Sequence, residues 1–333
     1  MRPDQHVRKL LLGFFIGLLF FNVQAQQTVQ KLVVETGYLL YLPNTYATDT
    51  TKQWPLLLFL HGSGESGHDM EKVKLHGPPQ LIAQGKSFPF IVVSPQSDVP
   101  SGWDTDNLYK LLAQVKKTYR VDRQRIYLTG LSMGGFGTWA LAMKHPEEFA
   151  AIAPVCGGGD SANAWKLRNT PVWCFHGALD NVVPFAGSAN MVNATKRYNP
   201  SVRFTVYPDK AHNSWDTTYN SNDSLYDWLL AQKKFLYKEQ PVSNAELKKY
   251  EGTYVSSDGD TVQMAVTPNG LVAIPGRDTV PLKRGGENLF FIQDDKAMDI
   301  RFGTTKDTVD SFVFYGDRQV FYHKTKKPAV RKK

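Results

Sequence analysis

From residue 54 onward the chain is punctuated by short runs of nearly unbroken hydrophobicity: Pro55–Leu60, Phe90–Val93, Arg125–Thr129, Ala150–Val155, Val172–Phe175 and Arg203–Tyr207. Runs this short and this apolar suit strands that are covered on both faces, as in a parallel sheet. Between them lie amphipathic stretches, Asp106–Tyr119, Met133–Lys144 and Ala186–Tyr198, and Asn222–Lys234 closes the series. Ahead of them, Val29–Val34 and Tyr38–Leu42 flank Gly37 and predict an antiparallel pair. Strand–helix alternation of this kind predicts an α/β fold, a doubly wound and mostly parallel sheet between helical layers. Only about fifteen residues (Cys156–Thr170) separate the fourth and fifth runs, too few for a large cap over the sheet.

Around Glu239–Ser243 the period changes. Val262–Thr267, Leu271–Ile274, Leu289–Ile292, Asp299–Phe302, Ser311–Tyr315 and Gln319–Tyr322 alternate apolar and polar positions, with Asn269-Gly270 as a tight turn between the first two. A small antiparallel β domain follows from that pattern. The expected organisation is a leader over residues 1–25, an α/β domain over 26–240, an all-β accessory domain over 241–323 and a basic tail over 324–333.

The leader is read from its order of parts. Arg2, Arg8 and Lys9 precede Leu10–Phe21, in which nothing is more polar than glycine, and Val23-Gln24-Ala25 offers small residues for a signal peptidase. Twelve apolar residues reach about 18 Å, short of a ~30 Å bilayer core, so cleavage after Ala25 and export to the periplasm or beyond are expected. Composition adds little: 42% hydrophobic and 21% charged residues are ordinary for a globular chain of 333 residues. The net charge of +8 is more informative, because +2 sits in the leader and +6 in the last ten residues. The chain between is neutral, which removes the case for a nucleic-acid surface. Cys156 and Cys174, the only cysteines, both fall in apolar runs and are expected as buried thiols on neighbouring strands. Neither has metal-site or redox spacing, and neither a metal nor a cofactor is expected.

Chemistry enters at Gly130-Leu131-Ser132-Met133-Gly134-Gly135, directly after an apolar run and at the start of a helical one. A G-x-S-x-G sequence in that setting is a nucleophile elbow: the turn is so sharp that only glycine fits two residues to either side of the serine. A serine hydroxyl needs a base, and the base needs an acid to orient it. In this fold their order is Ser, Asp or Glu, then His. Val172–Phe175 runs into His176-Gly177-Ala178-Leu179-Asp180, and Arg203–Tyr207 into Pro208-Asp209-Lys210-Ala211-His212. Asp180 and His212 therefore reach the carboxyl edge of the sheet, the edge Ser132 occupies. His145 before Pro146, His176 at a strand end and His323 in the β domain are set aside, as are Asp209 and Asp216, which flank His212 itself. Two donors must hold the oxyanion. Met133 N–H is one, and the loop His61-Gly62-Ser63-Gly64-Glu65-Ser66-Gly67 supplies the other, from Ser63 or its neighbour Gly64.

With these residues assembled, His61-Gly62-Ser63-Gly64, Gly130–Gly135, His176–Asp180 and Ala211-His212-Asn213-Ser214-Trp215 resemble the exported α/β-hydrolases of the phospholipase/carboxylesterase and dienelactone-hydrolase-like superfamily. The nearest branch is one labelled "predicted peptidase". His76-Gly77-Pro78-Pro79 and Cys156-Gly157-Gly158-Gly159-Asp160 fit that branch too, and the similarity runs over about residues 50–235. The β-rich end is similar to small domains appended to secreted serine hydrolases. The resemblance implies an α/β-hydrolase fold and serine acyl transfer. Dienelactone hydrolases proper carry a cysteine where this chain has Ser132, so lactone hydrolysis does not follow from it.

The expected activity is carboxylic ester hydrolysis through an acyl-enzyme on Ser132. The expected substrate is a small ester or one borne on extracellular carbohydrate, with Trp103 and Trp215 as candidate aromatic walls. Two other readings stay open in the sequence. One is a peptidase of prolyl-oligopeptidase type; the other is a carbohydrate-binding protein with a vestigial triad.

Overall fold

The computed structural model describes residues 36–325 apart from Asn222 and Asp294; the expected leader, the 29–34 strand and most of the basic tail lie outside these residues. The first sheet has seven strands, β1 (Tyr38–Tyr41), β2 (Trp54–Leu60), β3 (Ile91–Pro95), β4 (Val121–Leu131), β5 (Ala151–Val155), β6 (Trp173–Gly177) and β7 (Arg203–Tyr207). Their spatial order is β1-β3-β2-β4-β5-β6-β7. Only β1 runs antiparallel, and it pairs with β3, Tyr38 opposite Pro95. Every residue of β2, β3 and β5 is buried, the two-sided covering that their unbroken hydrophobicity predicts.

Helices α1 (Gly77–Ala83), α2 (Thr105–Thr118), α3 (Met133–Lys144), α4 (Phe185–Lys196), α5 (Ser214–Asn220) and α6 (Asp223–Leu230) cover the two faces. Helix α2 shows why such a segment is helical. Leu108, Leu111, Leu112 and Val115 form one buried stripe, and the Asp104 carboxylate caps the start by accepting from the N–H groups of Asp106 and Asn107. Side chains of α2, α3 and α4 share one core with the sheet. Those of α1, α5 and α6 share the other. Two helices, α1 and α5, were not anticipated; each has only seven residues, too few turns to print a clear period. The expected Asn222–Lys234 helix ends at Leu230, where an extended connector begins.

The second sheet is antiparallel and nine-stranded: β8 (Gly252–Ser256), β9 (Thr261–Thr267), β10 (Gly270–Pro275), β11 (Val280–Pro281), β12 (Lys283–Gly286), β13 (Leu289–Ile292), β14 (Asp295–Thr305), β15 (Thr308–Tyr315) and β16 (Gln319–Lys324). Its order is β11-β10-β9-β8-β16-β15-β14-β13-β12. The two edge strands β11 and β12 are joined through Leu282 alone, so the sheet curls almost into a barrel around Tyr254, Phe290, Phe302 and Phe312. The β9–β10 turn is shifted by one residue from the sequence reading. Thr267 pairs with Gly270, so Pro268-Asn269 form the turn and Gly270, at φ 113°, opens the return strand.

The β sheet is tied to the α/β layer through Asp299, whose side chain is fully buried. Its carboxylate accepts from Arg168 Nε at 2.7 Å, from Arg301 Nε at 3.3 Å and from the Tyr237 hydroxyl. Arg168 lies in the segment between β5 and β6. The 3-10 turn in that segment (Ser161–Leu167) packs on α3 and α4.

Candidate active site

Ser132 sits between β4 and α3 with φ 52° and ψ −116°, a backbone conformation that a side-chain-bearing residue rarely adopts. Its N–H is anchored to Val155 O at 3.0 Å, and its own carbonyl accepts from Phe136 N–H. The neighbouring glycines are required by space. A Cβ on Gly134 would stand 2.0 Å from Leu60 O, and one on Gly130 would stand 2.4 Å from Gly134 O. Strand, elbow and helix thus pack backbone against backbone, and the serine hydroxyl is left at the carboxyl edge of the sheet.

There the structure brings three predicted residues into line. His212 Nε2 lies 3.0 Å from Ser132 Oγ, and His212 Nδ1 lies 2.8 Å from Asp180 Oδ2. Asp180 is placed by the turn after β6 and its side chain is fully buried. Oδ1 accepts from the Val182 and Val183 N–H groups, both at 2.9 Å. Burial on its own would raise this carboxyl, but His212 and the two amides hold it below the ordinary carboxylate range. With Nδ1 donating to a carboxylate, His212 presents Nε2 as the acceptor for the serine proton.

His176, set aside in the sequence as a strand-end residue, is a partner of this group. Its Nε2 is 3.2 Å from Asp180 Oδ2 and 3.1 Å from Val183 O, and its Nδ1 hydrogen-bonds Ser188 Oγ at 2.7 Å. Burial lowers its pKa, and the Nε2 hydrogen bond to Val183 O ties the ring to the turn that carries Asp180. The i, i+4 spacing of His176 and Asp180 was the available signal. It was unreadable as such, because the chain between them is a tight turn rather than a helix.

The oxyanion candidates share one cleft of about 420 Å³, lined by Ser63, Trp103, Met133 and Phe136 among others. Ser63 opens a 3-10 turn and Met133 opens α3, so each places its N–H at a helix start, where no preceding turn claims it. The loop that carries Ser63 is pinned by buried polar groups. The Glu65 carboxylate accepts from Gly62 N–H at 2.8 Å, and Gln96 Nε2 donates to Glu65 O and Asp69 O. Burial lowers the pKa of His61; its Nδ1 donates to Gly62 O at 2.6 Å and its Nε2 accepts from Ser97 N–H at 3.0 Å. Glu65 and Gln96 went unnoticed in sequence, where a polar residue in a glycine-rich loop gives no sign of burial.

The two tryptophans part company. Trp103 lines the cleft and also packs its own loop, its ring tilted 59° against His61 at 4.7 Å and its Nε1 donating to His61 O at 3.3 Å. Trp215 does not line that cleft. It stands edge-on to His212 at 4.9 Å, and to His76 at 5.5 Å, as a backing for the His212 imidazole.

Cys156 and Cys174 are both free and buried, at the end of β5 and within β6. Burial pushes the Cys174 thiol up to about 12 and the Cys156 thiol higher still. Cys156, Asp180 and His212 offer ligand atoms within 4.8 Å of one another. Two of these are committed to each other, and the third is a protonated thiol, so the donor set suits proton relay better than metal binding.

Residues 16–225 match the profile of the dienelactone hydrolase family. The chain is 29% identical over 196 residues to the bifunctional acetylxylan esterase/xylanase XynS20E of Neocallimastix patriciarum, a match covering 56% of this chain and 27% of that protein. It is 27% identical over 162 residues to the probable feruloyl esterase C of Aspergillus terreus, covering 47% and 59% respectively. Among solved structures it resembles a thermostable esterase, with a TM-score of 0.52, 32% identity and 60% of each chain covered. These two curated relatives are thus matched over about a quarter and three-fifths of their own length.

Proposed function

The chain belongs to the dienelactone hydrolase family, and from that premise we propose that it is a serine esterase acting on acyl groups borne by extracellular carbohydrate. The observation that carries the reading is the unbroken chain Ser132 Oγ, His212, Asp180, at 3.0 and 2.8 Å. Ser132 attacks the ester carbonyl while His212 Nε2 takes its proton. The N–H groups of Met133 and Ser63 receive the oxyanion. The same imidazolium then returns the proton to the leaving alcohol, and water repeats the sequence on the acyl-enzyme. Asp180 holds the imidazole in the required tautomer. Similarity to an acetylxylan esterase and a feruloyl esterase supports acetyl or feruloyl groups as the acyl part. The order of basic, apolar and small residues in positions 1–25 supports export. No helix among the described residues is long and apolar enough to cross a membrane.

The test is hydrolysis of p-nitrophenyl acetate, acetylated xylan and methyl ferulate by the chain from Gln26, beside Ser132→Ala. The expected result is turnover of p-nitrophenyl acetate and at least one carbohydrate-type ester, with a fall of about 10⁴-fold or more in the variant. Turnover of the simple ester alone would remove the carbohydrate assignment. Glycan binding unchanged by the mutation, with no hydrolysis of any ester, would leave a binding protein with a vestigial triad.

A further inference from the structure

A second cleft, of about 320 Å³, opens at the junction of the α/β layer and the β sheet. Gln124, Phe149 and Thr170, on its wall, lie at the amino-terminal ends of β4, β5 and β6. The cleft is therefore across the sheet from Ser132, and the ester chemistry makes no use of it. Its volume sits at the lower end of the range for small-molecule sites and has room for a sugar ring.

The lining combines two chemistries. One wall is aromatic: Phe235 is 46% exposed and meets Tyr237 edge-on at 4.8 Å, and Tyr237 stacks on Phe291 at 4.9 Å. An exposed ring of this kind offers its face to the C–H side of a pyranose. The other wall is cationic and poorly solvated. Lys234, with a side chain only 15% exposed, lies 3.7 Å from Glu148 Oε2, an oxygen that Lys116 already holds at 2.7 Å. Two ammonium groups thus share one carboxylate in a half-buried setting. Burial lowers the pKa of Lys234 in spite of Glu148. Glu147 is a second carboxylate on this wall, but with Lys166 and Arg168 the lining carries three cations to two carboxylates, so a ligand carboxylate beside Lys234 would balance the charge through charge-assisted hydrogen bonds. Asn169, held by Tyr237 and Arg301, and Gln124 add amide groups suited to hydroxyls.

We propose that this junction cleft binds an acidic sugar, a uronic acid unit of a polysaccharide, and so holds the carrier while the opposite edge of the sheet removes acyl groups. The choice of ligand class rests on the carbohydrate-ester reading above, whereas the cleft and its charge do not. The experiment therefore uses unesterified probes on the inactive full chain. Ser132→Ala is titrated calorimetrically with a glucuronic-acid-substituted xylotetraose and with unsubstituted xylotetraose. The acidic oligosaccharide should bind at least tenfold more tightly. Adding Lys234→Met should remove that preference, and adding Phe235→Ala should weaken both ligands. With Ser132 intact, each of these two substitutions should leave p-nitrophenyl acetate hydrolysis unchanged, which also reports that the fold has survived. Absence of saturable binding, equal affinity for the two probes, or a preference that survives Lys234→Met would overturn the proposal. Because no ester is present in the titration, those results bear on the cleft alone, and failure to hydrolyse carbohydrate esters bears on the ester reading alone.

Discussion

Asp180 accepts from three donors, His212 and the Val182 and Val183 amides, and His176 Nε2 lies 3.2 Å from its Oδ2. Replacing it with asparagine puts an amide N–H among those donors and removes the charge that stabilises the imidazolium. Asp180→Asn should lower kcat for p-nitrophenyl acetate by about 10⁴-fold, with KM little changed. The pH profile follows from the same contacts. His212 is a base only when neutral, so activity is lost as pH falls. The Asp180 carboxyl is held below the ordinary range and stays ionised throughout that limb. The acid limb of kcat/KM should therefore have unit slope; a slope of two would mean that Asp180 titrates alongside His212. Its folded value being the lower one, the stability Asp180 contributes is present above the ordinary carboxylate pKa of about 3.9. That contribution is lost as pH falls through the depressed value.

At the scale of elements, the elbow and the loop of Ser63 differ in what their glycines do. A methyl group on Gly134 would meet Leu60 O, Leu60 C and His61 O within 2.7 Å, all of them backbone. None can give way without moving β2. On Gly64 it would meet nothing within 4 Å. Gly134→Ala should thus cost several kcal/mol and lower Tm steeply, while Gly64→Ala should keep Tm within a degree or two and retain activity. Differential scanning fluorimetry of the pair checks this, and a tolerated Gly134→Ala would mean the elbow is looser than its geometry. Gly130 and Gly134 were legible beforehand because the elbow is a local motif. The seven-residue helices and the short strands β11 and β12 were not, since their residues are chosen by tertiary neighbours rather than by a periodic face.

For the molecule as a whole, the junction depends on Asp299, a buried carboxylate between Arg168 of one layer and Arg301 of the other. Asp299→Ala would take the carboxylate away from the buried Arg168 guanidinium, at a cost of about 3–5 kcal/mol. It should lower the unfolding midpoint in urea while the folded enzyme keeps its kcat on p-nitrophenyl acetate, the triad lying at the other edge of the sheet. A matching loss of kcat at low denaturant would show that the β sheet supports the active site directly.

The sequence by itself determined the strand–helix alternation, the change to an antiparallel pattern near residue 240, and the Ser132, Asp180, His212 set. These depend on local signals: apolar runs, a strand-to-helix elbow, and loops that follow successive strands to one edge. Only the tertiary structure decided which buried polar groups serve that set. His176, Glu65 and Gln96 act through partners up to 31 residues away. It alone placed Trp103 in the cleft and Trp215 behind His212, and it alone formed the junction cleft from segments between Gln124 and Gln293. Burial and hydrogen bonding across such distances depend on how layers close over one another, and no window of neighbouring residues records that.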